Sequence, residues 1–111
     1  MLGVGLWLLV RRFGGALAQY RKAVELNPAF APTRSRLGVL LVQSGKKEEA
    51  LAQFQEAARL MPYEETIQLN FGSALLSVGK KDEAVAHFQT ALDINPDFSP
   101  AQKQLERISS P

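Results

Sequence analysis

Between residues 37 and 61 apolar side chains recur at steps of three and four: Leu37, Leu40 and Leu41, then Ala50, Leu51, Phe54, Ala57, Ala58 and Met61. That step is the period of an α-helix with one apolar face, so the stretch predicts two helices. The polar break Ser44-Gly45-Lys46-Lys47 separates them as a tight turn. Gly45 stands where the first helix stops, because glycine takes a left-handed C-cap conformation without a steric penalty. Glu48 and Glu49 follow in the first turn of the second helix, where the helix dipole favours acids. Pro62 ends the second helix, since proline cannot continue one.

The whole pattern returns 34 residues later, with Gly38, Gly45, Ala50, Phe54, Ala57 and Pro62 reappearing as Gly72, Gly79, Ala84, Phe88, Ala91 and Pro96. Lys80-Lys81-Asp82-Glu83 repeats the turn, and Asn27-Pro28, Met61-Pro62 and Asn95-Pro96 close successive copies. A lone helical pair cannot bury both of its apolar faces, so a repeat of this length implies a stack of hairpins. Gly38, Gly72 and the repeated alanines let neighbouring backbones approach closely. Phe54 and Phe88 are expected to fill the gap between copies.

These positions resemble the tetratricopeptide repeat family. The family's helix A residues correspond to Leu37-Gly38 and Phe71-Gly72, its turn glycine to Gly45 and Gly79, and its helix B signature to Ala50, Phe54, Ala57, Pro62 and Ala84, Phe88, Ala91, Pro96. The resemblance implies an all-α, right-handed α-solenoid of antiparallel helix-turn-helix repeats with a C-terminal capping helix. It divides the chain into a partial or degenerate first repeat at 1–30, full repeats at 31–64 and 65–98, and a cap at 99–111 with Ala101, Leu105 and Ile108 on its apolar side. The first repeat keeps a good helix B (Ala16, Tyr20, Ala23, Pro28), but its helix A is poor. Gly3-Val4 stand at the Leu-Gly position, Arg11 at the turn glycine and Gly14-Gly15 at the acidic pair. The register makes 1–30 a hairpin in which Trp7 fills the slot of Leu41 and Leu75.

Residues 1–10 are apolar and end at Arg11-Arg12, but a spanning helix needs about 20 apolar residues, roughly twice this run. A signal peptide carries its basic residues before the apolar stretch, the reverse of this order. Ala16-Leu17-Ala18-Gln19, which resembles a cleavage site, lies in phase with Ala50-Leu51-Ala52-Gln53 and is explained by the repeat. The segment is therefore expected neither to be cleaved nor to insert in a membrane, and the cytoplasm is favoured.

Composition narrows the function classes. With 46% hydrophobic and 22% charged residues the 111-residue chain is globular, and its 13 basic residues offset 11 acidic ones for a net charge of +2. That small excess points to no nucleic-acid partner. The absence of cysteine removes disulfides, thiolate metal sites and cysteine nucleophiles. His87 aligns with Gln53 and Gln19 and is expected at an exposed polar helix position. The paired acids Glu48-Glu49, Glu64-Glu65 and Asp82-Glu83 belong to helix starts, and Ser35, Ser73 and Ser77 have no paired base. Gly45-Lys46 and Gly79-Lys80 lack the upstream glycine and the hydroxyl residue of a phosphate loop. No enzyme, metal or cofactor is expected.

The family resemblance implies a concave surface lined by the first helix of each repeat. Here those positions hold Ser35, Arg36, Val39 and Gln43, then Thr66, Leu69, Asn70 and Ser73, with Lys103, Gln104 and Arg107 added by the cap. Cations and an asparagine on one face suit an extended peptide with an acidic side chain or free carboxylate. The clamp by which some members hold chaperone C-termini is absent: only Asn70 falls on a clamp position, while Ser35, Val39, Pro100 and Gln104 replace the rest. Asn70 also matches the asparagine ladder of O-linked N-acetylglucosamine transferases. The expected function is non-catalytic protein–protein interaction. The rival readings are the C-terminal arm of a larger protein, such as a membrane glycosyltransferase or a secretion-assembly factor, and self-association through an N-terminal face containing Leu6, Trp7 and Leu9.

Overall fold

The computed structural model describes the backbone of residues 2–110 and the side chains of residues 14–110. The described residues form six helices: α1 Leu2–Leu26, α2 Ala31–Gln43, α3 Lys47–Leu60, α4 Glu65–Ser77, α5 Lys81–Ile94 and α6 Ser99–Ser109. α2 pairs with α3 and α4 with α5, while α3 against α4, α2 against α4 and α5 against α6 join the pairs into a stack.

Each hairpin is made by the glycine its sequence places there. Gly45 and Gly79 have φ of 81° and 83°, the left-handed conformation that side-chain-bearing residues avoid. The Lys46 amide donates to the Leu41 carbonyl at 2.8 Å and the Gly45 amide to Val42 at 3.0 Å; Lys80 to Leu75 and Gly79 to Leu76 repeat the pair at 2.9 and 3.1 Å. These crossed bonds satisfy the carbonyls that a helix end leaves open and turn the chain directly into the next helix.

Packing inside each hairpin rests on a ring seated on a glycine. A Cβ at Gly38 would lie 2.7 Å from the Phe54 ring, and one at Gly72 would lie 2.7 Å from Phe88. Both rings are buried. The phenylalanines therefore fill the inside of their own hairpin as well as the gap between copies that the sequence pattern suggested. Phe54 also joins Leu17 of α1 and Ala74 of α4 in one core cluster, which is how successive hairpins share a core.

The N-terminal repeat departs from expectation. No turn breaks α1 near Arg11; the helix runs unbroken for 25 residues. A hairpin there would need a left-handed residue at Arg11, which costs about 1–2 kcal/mol for any side chain with a Cβ. The only glycines nearby, Gly14 and Gly15, come three residues too late and lie within the helix. The second half of α1 still packs as a helix B, with Leu17 in the core and the Arg21 guanidinium bridging both Glu49 oxygens at 3.0 Å. The slot proposed for Trp7 lies outside the described side chains.

Candidate functional site

A cleft of about 320 Å³ opens beside α2 and α4. α2 contributes Pro32, Ser35, Arg36 and Val39, and α4 contributes Thr66, Ile67 and Asn70, with Met61 and Glu64 from the α3–α4 connection. The spacing Ser35, Arg36, Val39 on one helix and Thr66, Asn70 on the other is that of single helical faces, so the register alone brings these residues to one wall. Ser35 is buried, and the Asn70 amide donates to its hydroxyl at 3.5 Å across the α2–α4 contact. Glu64 lines the entrance while accepting from the Thr66 amide at 3.4 Å, capping α4. Arg36 is exposed and makes no ion pair among the described residues. The cleft thus offers apolar surface from Val39, Ile67 and the exposed Met61, the Arg36 cation and the Glu64 carboxylate, and amide and hydroxyl groups between.

Five expected site residues meet here: Ser35, Arg36, Val39, Thr66 and Asn70. The other four do not line the cleft. Gln43 is exposed at the C-terminal end of α2, Ser73 lies half-buried a turn beyond Asn70, and Lys103 and Arg107 are exposed on α6. Leu69 packs into the core cluster around Phe88 instead of facing the cleft.

A second polar network is absent from the sequence reading. Arg34, Gln68 and Gln102 stand 34 residues apart, each six residues after a proline, and each donates to that proline's carbonyl: Pro28 at 2.7 Å, Pro62 at 3.2 Å and Pro96 at 2.9 Å. Arg34 and Gln68 also reach the following helix B, at Gln53 (3.0 Å) and His87 (2.7 Å). The network ties the connections at Pro28 and Pro62 each to the two helices that follow, and the connection at Pro96 to α6. Its signal in the sequence is polar, whereas the repeat was identified from apolar residues.

His87 is accordingly not the exposed position expected for it. It is half-buried, meets the Gln68 Oε1 through Nδ1, and stacks on Phe71 with ring centroids 4.2 Å apart. Burial holds its pKa below the ordinary 6.5, against a weaker opposing pull from Glu83. Because the folded state disfavours the imidazolium, the contribution of His87 to stability is complete above about pH 6.5 and declines as pH falls toward the lowered folded value. His87→Ala should cost about 1–3 kcal/mol by leaving the buried Gln68 carbonyl unpaired. His87→Gln, which copies Gln53, should cost less and flatten the acid limb of a stability–pH curve. Identical curves for wild type and His87→Gln would remove His87 as the group responsible.

Among the described residues no cluster of three or more His, Asp or Glu side chains could hold a metal ion, and no helix is long and apolar enough to cross a membrane.

Stacked helical hairpins whose first helices line a cleft define an α-solenoid of the kind used for protein interaction. The chain belongs to the tetratricopeptide repeat family, whose profile matches residues 13–99. YrrB, described as a tetratricopeptide repeat protein with an unusual peptide-binding site, superposes with a TM-score of 0.81 at 26% identity, over 89% of this chain and 51% of that one. The first repeat domain of Spaghetti (RPAP3), bound to the HSP90 peptide SRMEEVD, gives a TM-score of 0.84 over 95% of this chain and 83% of its own, and at 18% identity it shows the shared fold alone. An O-GlcNAc transferase from Thermobaculum terrenum gives a TM-score of 0.77 at 25% identity, over 87% of this chain and 19% of that one. The chain spans about half the length of the YrrB and MamA chains that it matches, 51% and 56%. A comparison with curated proteins gives no significant match.

Proposed function

We propose that the protein is a non-catalytic interaction module that holds an extended peptide in the α2–α4 cleft, with Arg36 receiving an acidic side chain or terminal carboxylate. The convergence of Ser35, Arg36, Val39, Thr66 and Asn70 on one cleft carries this reading. Arg36 stands free to make a charge-assisted bond, the Asn70 amide is placed to hold peptide backbone, and the Val39–Ile67 surface takes an apolar side chain. YrrB, similar along most of this chain, is described as having a peptide-binding site, which supports the same class of function. We assign full repeats to 31–64 and 65–98, a partial repeat to 1–30 and a cap to 99–111. Gln43, Ser73, Lys103 and Arg107 belong in this assignment to the wider concave face beyond the cleft.

Selection of displayed random peptides against the chain, followed by calorimetry on an enriched sequence, tests the proposal. Enriched peptides should carry an acidic group. Asn70→Ala should weaken binding by about 1–3 kcal/mol, and Arg36→Glu should weaken it further while reducing its salt dependence. Lys103→Glu, outside the cleft, should have the smaller effect. Full affinity in a correctly folded Arg36→Glu/Asn70→Ala variant would exclude the cleft as the site.

A further inference from the structure

Two charged residues of the α2–α4 cleft break the repeat. Arg36 is in phase with the uncharged Asn70 and Gln104, and Glu64 is in phase with Phe30 and Phe98. Phe98 packs against the core cluster around Phe88, so a carboxylate at this position is not something the stack requires. Capping accounts for only part of the change. Thr66 stands where the other copies have Pro32 and Pro100, and so brings a backbone amide from which Glu64 Oε1 accepts at 3.4 Å. That bond is long, and a neutral serine or asparagine caps a helix as well, so it gives no reason for the charge.

Neither charge is neutralised by another described residue. The ion pairs among those residues join Arg21 to Glu49, Lys22 to Glu25 and Arg59 to Glu56, and leave out both Arg36 and Glu64. The two line one cleft without pairing across it. Glu64 is half-buried, which makes an opposite charge brought by a ligand worth more there than on open surface. Val39, Ile67 and Met61 share the cleft and help a bound ligand to exclude water from it.

We propose that Glu64 is a second binding residue of this cleft and that the peptide it admits is dipolar, with an acidic group for Arg36 and a lysine or arginine side chain for Glu64. This charge pattern rests on the peptide reading of the cleft and narrows it. At about 320 Å³ the cleft is at the small end of ligand sites, which span roughly 300–1,000 Å³. Both charges must therefore come from residues close together in the peptide. The carboxylate also selects by repulsion: a second acid in place of the base would face Glu64, and like charges brought together cost affinity. A run of acids is thus a poor ligand, however well its first acid meets Arg36.

Selection from a random-peptide library on the full chain, repeated on two variants of Glu64, tests this. The wild-type chain should enrich peptides that carry an acid and a base within a few residues of each other. Glu64→Gln keeps a side-chain oxygen for the Thr66 amide and should melt normally. It should still enrich acids but no longer bases, and should bind a dipolar peptide selected on the wild type at least about tenfold more weakly, the size of a lost charge-assisted bond. Glu64→Lys should enrich peptides with an acid in place of the base, which the loss of a helix cap alone would not bring about. Acids enriched without bases on the wild type, or equal affinity of wild type and Glu64→Gln for a dipolar peptide, would overturn the proposal; a loss of binding in Arg36→Glu would then leave the peptide reading standing. Binding untouched by both Arg36→Glu and Glu64→Gln would remove the cleft as the site, and the dipolar ligand with it.

Discussion

Replacement of Phe88 by alanine is expected to remove about 3–5 kcal/mol of stability. The side chain has no exposed surface, and its ring lies on Gly72 within a cluster that also holds Leu75, Ala84, Ala91 and Ala101. Collapse into the vacated space is limited, because the ring rests on Gly72 and clusters with Ala84, Ala91 and Ala101, small residues that cannot extend to fill it. In a solenoid each hairpin is stabilised by its neighbours, so the loss should propagate to α6 and loosen the cap. Chemical denaturation followed by circular dichroism measures it. Tyr63→Ala serves as the control: Tyr63 is 83% exposed, and its removal should change stability by no more than about 0.5 kcal/mol. Equal losses for the two variants would mean that the ring is not the keystone of the α4–α5 hairpin.

The second large effect is a reversal of the usual rule for glycine. In a helix interior Gly→Ala normally stabilises by up to about 1 kcal/mol, and Gly14→Ala or Gly15→Ala should do so, since nothing lies within 4 Å of a Cβ at either position. Gly72→Ala places the same methyl group 2.7 Å from the Phe88 ring. A buried ring enclosed by helices cannot retreat as a flexible chain end would, so this change should destabilise by about 1–3 kcal/mol, and Gly72→Leu by at least as much. Adding Phe88→Leu to Gly72→Ala should recover part of the loss, the mark of two positions coupled by contact. Thermal or urea melts across this set provide the measurement. Stabilisation by Gly72→Ala would show that ring and glycine are not in contact.

The parts of the structure legible in the sequence were those set by local chemistry. Gly45 and Gly79 announce their turns because almost no other residue adopts φ near +80° comfortably, and the prolines announce the connections for a similar reason. The cleft was legible in part: the helical period places Ser35, Arg36 and Val39 on one wall and Thr66 and Asn70 on the other, but depth depends on how α2 and α4 meet. That is why Lys103 and Arg107, correct in register, fall outside it, and why Leu69 turns into the core. α1 misled because the repeat register supplied a turn position without the residue that makes a turn. His87 misled in the other direction. Its alignment with Gln53 marks a polar site, and the missing information was its partner Gln68, nineteen residues away on the preceding helix.

The most direct test of the peptide-cleft reading is an amide chemical-shift map of the labelled chain titrated with an acidic peptide enriched by selection. The predicted result is that perturbations centre on Ser35, Arg36, Val39, Thr66 and Asn70 and fade toward the outer surfaces of α3 and α5. Perturbations centred on exposed residues of those outer helices, such as Gln55, Arg59 and Gln89, with the cleft unchanged, would contradict it.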